Sequence, residues 1–137
     1  MRRLVLLACV AACGDNAPGD VTIVTQSWSD VLAGFEQVGV SLGSSSADYQ
    51  ITVTDDPSVP AEGYQVVPAG HGFEVHAHDV LGAQYGVADA LEHLGFRFRH
   101  PFDPYIPVEP KIEAGTGGVH VPEVRVRGFH IHTLHPI

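Results

Sequence analysis

The stretch 79–107 constrains this chain more than any other, because both ends of a helix can be read from it. Asp79 carries the short carboxylate that accepts hydrogen bonds from the unpaired amides of a first helical turn, and Gly95 tolerates the left-handed backbone that ends a helix. Between them Ala83, Val87, Ala90 and Leu94 recur at steps of three and four, and Leu91 widens the stripe. Gln84, Asp89, Glu92 and His93 fall mostly outside it. The spacing predicts a helix with one apolar face, and that face must lie on something. Phe96-Arg97-Phe98-Arg99 follows with period two, rings to one side and guanidinium groups to the other, which predicts a strand returning along a sheet. Gly86 falls in mid-helix, where glycine costs about 1 kcal/mol relative to alanine. Close approach of the helix to a sheet is the expected compensation.

Upstream, Val21-Thr22-Ile23-Val24-Thr25 is rich in β-branched residues and predicts a strand. Ser27 or Ser29 is placed to cap a helix over 30–38, with Val31, Phe35 and Val38 on one side. Tyr49-Gln50-Ile51-Thr52-Val53-Thr54 alternates like a strand until Asp55-Asp56-Pro57 stops it. Two further short strands, Gly63-Tyr64-Gln65-Val66-Val67 and Gly72-Phe73-Glu74-Val75-His76-Ala77, flank Pro68-Ala69-Gly70-His71 and predict a hairpin. This order implies an α+β fold, a small mixed sheet with two helices packed on one face. The segment 108–119, with Pro110, Gly115, Gly117 and Gly118, has linker composition. Beyond it Val124, Val126, Phe129, Ile131 and Leu134 interleave with Arg125, Arg127, His130 and His132, which predicts a single strand over 126–133.

The N-terminus reads as an export signal. Met1-Arg2-Arg3 precedes an apolar run over 4–12 that is too short to span a bilayer as a permanent helix. Val10-Ala11-Ala12-Cys13 resembles a bacterial lipobox, so residues 1–13 are expected to form a lipoprotein-type signal with Cys13 the lipidated residue. Residues 14–20 then suit a tether, and the chain would meet the membrane through its lipid anchor at the bacterial cell envelope, or be secreted. Cys9 is the only other cysteine and precedes the cleavage point, so the mature chain would have no disulfide and must be held by core packing. Sixteen acidic side chains against seven basic ones give a net charge of -9, which repels phosphate backbones and excludes nucleic acid as a partner. A chain of 137 residues can bury one real core but cannot also hold a complete eight-fold barrel.

Tyr85-Gly86-Val87, Leu91-Glu92, Leu94-Gly95-Phe96-Arg97-Phe98 and Ile106-Pro107 together resemble the small α/β domain that precedes the catalytic barrel in family 20 β-hexosaminidases and family 67 α-glucuronidases. Phe98 stands where those families often carry Trp. The resemblance implies that 21–107 is such a domain, that 108–119 links it onward, and that 120–137 begins a truncated barrel, with 126–133 its first strand. It further implies hydrolysis of O-glycosyl bonds by the missing barrel, a carbohydrate substrate bound there, and no cofactor. An Arg-Gly pair opens that barrel strand in family 20, and its arginine is similar to a clamp on sugar hydroxyls. Carried over, this makes Arg127 a substrate-binding residue, its planar guanidinium offering a fork of donors. Where the family continues with Asp and Arg, this chain has His132 and His135.

Glycosidic cleavage needs two carboxyl groups, or one with a substrate amide, held about 5 to 9 Å apart across the bond. The acids of this chain are scattered over caps and loops, and the resemblance places the catalytic pair on strands beyond Ile137. No catalytic residue is therefore assigned, and the fragment alone is expected to be inactive. An alternative follows from His130-Ile131-His132, whose imidazoles share one face of a strand as zinc ligands of an amidohydrolase-type enzyme do. Such a site needs a third ligand, so no metal is assigned to His130 and His132 in the main reading. His76, His78, His71, His93 and His100 read as solvated or satisfied polar residues. A non-enzymatic surface domain that binds polysaccharide or a partner protein is the competing class.

Overall fold

In the computed structural model, which describes residues 20–43, 47–100, 103–114 and 117–124, the capped helix is α2, Val80–His93. It follows β1 (Val21–Thr25), α1 (Ser29–Leu32) running on as a 3-10 turn (Ala33–Val38), β2 (Ser41–Leu42), β3 (Tyr49–Asp55), β4 (Tyr64–Ala69) and β5 (Gly72–Ala77). A short β6, Val119–His120, comes last. The six strands form one mixed sheet in the order β2-β1-β3-β5-β4-β6. Strands β2, β1, β3 and β5 run parallel, and β4 is antiparallel to both β5 and β6.

Register aligns the apolar residues of the central strands on one face. Ile23 sits beside Ile51, Ile51 beside Phe73, Val53 beside Val75, and Val75 beside Val66. Against them α2 sets Ala83, Val87, Ala90 and Leu91, followed by Leu94, all fully buried. Each buried leucine is worth about 1.5–3 kcal/mol of apolar burial. Helices α1 and α2 touch each other, so both cover this face, as the α+β reading requires. The alternate residues Gln50, Thr54 and Glu74 are exposed on the open face.

Both helix signals are present. Asp79 accepts from the amides of Leu81 at 3.1 Å and Gly82 at 3.0 Å, and Gly95 takes φ 99° after the last turn. The close approach expected at Gly86 is also found: a Cβ there would lie 2.4 Å from Val75 Cγ1 and 3.2 Å from Tyr64 Cβ. The hairpin closes over Gly70, at φ 54°, and His71; β4 runs two residues further into the turn than its composition suggested, to Ala69, while β5 spans Gly72–Ala77 as expected.

Three expectations are corrected. Phe96-Arg97-Phe98-Arg99 does not join the sheet. The Phe96 amide turns back to Leu91 O at 3.0 Å, and Arg97 makes a lone antiparallel bridge to Tyr105, while Phe98 meets Phe35 edge-on at 6.5 Å. The alternation there serves packing beneath the helices. The first helix is capped by neither serine. Thr25 Oγ1 binds both the amide and the carbonyl of Ser27, and Trp28 occupies the cap position at φ 61° without a side-chain bond. Only four residues are α-helical, and the turn buries Leu32 while Val31 is exposed. Strands β2 and β6, two residues each, have no signature of their own in the sequence.

The segment with linker composition runs along the domain where it is described. Lys111 and Glu113 donate their amides to the carbonyls of Leu94 and His93 at 3.3 and 2.8 Å, which satisfies acceptors that a helix end leaves open. Tyr49 donates to Pro110 O at 2.7 Å, and Gln65 Nε2 donates to Gly117 O. The signal, most of the tether and the strand expected over 126–133 lie outside the described residues.

Candidate functional site

Cys13, Arg127, His130 and His132 also lie outside the described residues. The described residues form a groove of about 610 Å³ on the outer side of α2. Its floor comes from the helix, where Tyr85, Asp89 and Glu92 recur at steps of four and three beside the buried stripe, with Ala88 between them. Tyr64 of β4 and Phe98 wall it, and His120, Val121 and Pro122 close the remaining side.

Edge pairing brings these pieces together. His120 is the register partner of Tyr64 in the antiparallel β4–β6 ladder, and their rings stack at 5.1 Å with 14° between planes. Partial burial pushes the Tyr64 phenol up to about 12, helped by the Asp89 carboxylate, which also accepts its hydrogen bond, and by Glu92. The phenol therefore stays a neutral donor across the physiological range. Asp89 also lies 3.6 Å from His93 one turn on. The groove thus offers aromatic walls from Tyr64, Tyr85 and Phe98 and a negative floor from Asp89 and Glu92.

His76, His78 and His93 have local partners. His78 Nδ1 is 2.6 Å from Val59 O, and His93 tilts over Phe73 at 5.6 Å. His76 lies 3.6 Å from both Asp56 and Glu74, contacts that are ionic only when the imidazole is protonated. Among the described residues no three His, Cys, Asp or Glu side chains converge as a metal site would require.

Sequence reasoning placed Asp89 and Glu92 outside the apolar stripe but did not join them to Tyr85. The step of four then three was legible as a second helical stripe. Tyr64, Phe98 and His120 reach it only through sheet pairing and the turn after α2, for which no local signal exists.

No family model matches the chain, and no curated protein matches its sequence. A solved structure of beta-N-acetylhexosaminidase from Bacteroides fragilis NCTC 9343 is similar to it, with a TM-score of 0.40 and 14% identity. The match covers 64% of this chain and 19% of that one.

Proposed function

We propose that this chain is the N-terminal, non-catalytic module of an exported glycoside hydrolase, held at the cell envelope through Cys13. On this reading it takes no cofactor, Arg127 binds sugar hydroxyls, and hydrolysis of the O-glycosyl bond belongs to a barrel that begins near 120–137. The chain path carries the proposal. After α2 the backbone runs along the helix end and crosses to the far sheet edge as β6. It then comes up at Val121 and Pro122 on the rim of the groove beside Tyr85 and Phe98. Val121 and Pro122 thus lead out of the sheet edge beside an aromatic, acidic surface, on which we place the succeeding domain.

Hydroxyl-radical footprinting tests this in a product translated beyond Ile137 in the same frame. Tyr85 and Phe98 should oxidise several times more slowly there than in the 137-residue chain, while Tyr105, 61% exposed and outside the groove, keeps its rate. Unchanged rates at Tyr85 and Phe98 would leave the groove uncovered and contradict the proposal.

A further inference from the structure

A second recess, of about 580 Å³, lies on the turn after α2 and is lined by Arg97, Arg99, His100, Asp103, Pro104, Tyr105 and Ile106. Its base is fixed by a pair of backbone hydrogen bonds, Arg97 N to Tyr105 O at 3.1 Å and Tyr105 N to Arg97 O at 2.9 Å. The two arginines do different work. Arg97 donates through Nη1 to the carbonyls of Glu92 at 2.6 Å and Phe96 at 2.7 Å, and its Nη2 lies 3.8 Å from Glu113. Its charge is spent on the end of α2 and on the segment that covers it.

Arg99 is exposed and makes no ion pair or hydrogen bond to a described residue, although acidic side chains outnumber basic ones sixteen to seven in this chain. Asp103 lines the same recess without closing a bridge to it. Tyr105 also lines this recess, 61% exposed while its backbone is pinned. A free guanidinium fork matches the two oxygens of a carboxylate or the oxygens of a sulfate. The aromatic face in the same recess adds a surface for the C–H face of a pyranose, which a bare inorganic ion would not use.

We propose that the recess between Arg99 and Tyr105 binds an anionic saccharide, through a guanidinium–oxyanion pair to a carboxylate or sulfate ester and stacking of the sugar ring on Tyr105. The site is independent of the function proposed above and would serve a surface-binding domain equally well. Calorimetric titration of the full chain with an oligouronate, a sulfated oligosaccharide, a neutral oligosaccharide of equal length and inorganic sulfate tests it. Binding is expected for one or both anionic sugars, with the stronger of the two identifying the anion, and for neither of the others. Arg99→Ala should weaken that binding about tenfold or more, as loss of a charged hydrogen-bonding pair does, and Tyr105→Ala should weaken it too. Both side chains are exposed, so the variants keep their fold, which circular dichroism checks. Equal binding of neutral and anionic sugars, inorganic sulfate binding as tightly as the saccharide, or indifference to Arg99→Ala would overturn the proposal.

Discussion

Asp79 holds Glu62 as well as its own helix. One carboxylate oxygen, Oδ1, caps the amides of Leu81 and Gly82, while Oδ2 accepts the amide of Glu62 at 2.8 Å. Glu62 sits at φ 58°, a left-handed backbone that a glutamate adopts only under constraint. Gly82 lies so close below this loop that a Cβ would stand 2.2 Å from Gly63 O. The carboxylate therefore ties the entry of the hairpin to the start of α2.

Replacing this tie should cost more than a cap alone. Asp79→Ala is expected to lose about 1–2 kcal/mol for the cap and more for the freed Glu62 amide, measured by urea unfolding. Burial raises the Asp79 pKa, but the amides of Gly82, Glu62 and Leu81 outweigh it and hold the group below its ordinary value of 3.8. A depressed folded value means stability that is present above the unfolded value and lost as pH falls through the folded one. The gap between wild type and Asp79→Asn should thus persist at neutral pH and shrink below about pH 4. A gap that stays constant down to pH 2 would count against the ionic tie.

Gly86 and Gly34 should respond in opposite directions to the same substitution. A methyl at Gly86 meets Val75 Cγ1 at 2.4 Å, so Gly86→Ala should cost about 1–3 kcal/mol by overpacking despite better helix propensity. Nothing lies within 4 Å of a Cβ at Gly34, so Gly34→Ala should be neutral or stabilise by about 0.4–1 kcal/mol. Thermal unfolding of the two variants checks the contrast.

Helix α2 was legible because its signals are local: Asp79, Gly95 and the apolar stripe are all set by neighbours a few residues away. The first helix was less so, because Thr25 claims the backbone of Ser27 and leaves no serine at the cap. Phe96-Arg97-Phe98-Arg99 alternates as a strand does, yet alternation records which side chains are buried and says nothing of a partner. Here the partner is Tyr105, a few residues on. His120 entered the groove through its register with Tyr64, a pairing across 56 residues that no local pattern encodes.

The groove makes a spectroscopic prediction. Tyr64 should titrate near pH 12 rather than its ordinary 10.0, followed by phenolate absorbance, and Asp89→Asn should bring it down by removing a negative neighbour while leaving an oxygen that can still accept. Because the folded value is raised, the stability linked to Tyr64 is complete below pH 10 and drains away as pH climbs toward 12. An Asp89→Asn variant whose Tyr64 titrates as in wild type would remove Asp89 from the site.

Export and lipidation rest on Cys13 and the run before it. In a bacterial host, a radiolabelled fatty acid should label the wild-type chain and leave Cys13→Ala unlabelled. Equal labelling of the two would dismiss the anchor.

Glycoside hydrolysis itself is the most direct test of the proposed function. Purified side by side, the 137-residue chain should show no turnover on aryl glycosides, and a product extended in frame past Ile137 should hydrolyse at least one of them. That activity should fall on Arg127→Ala and survive chelation, since the arginine acts by hydrogen bonding to sugar hydroxyls. Turnover by the 137-residue chain, or activity that chelators abolish, zinc restores and His130→Ala removes, would contradict it in favour of a metal-dependent hydrolase.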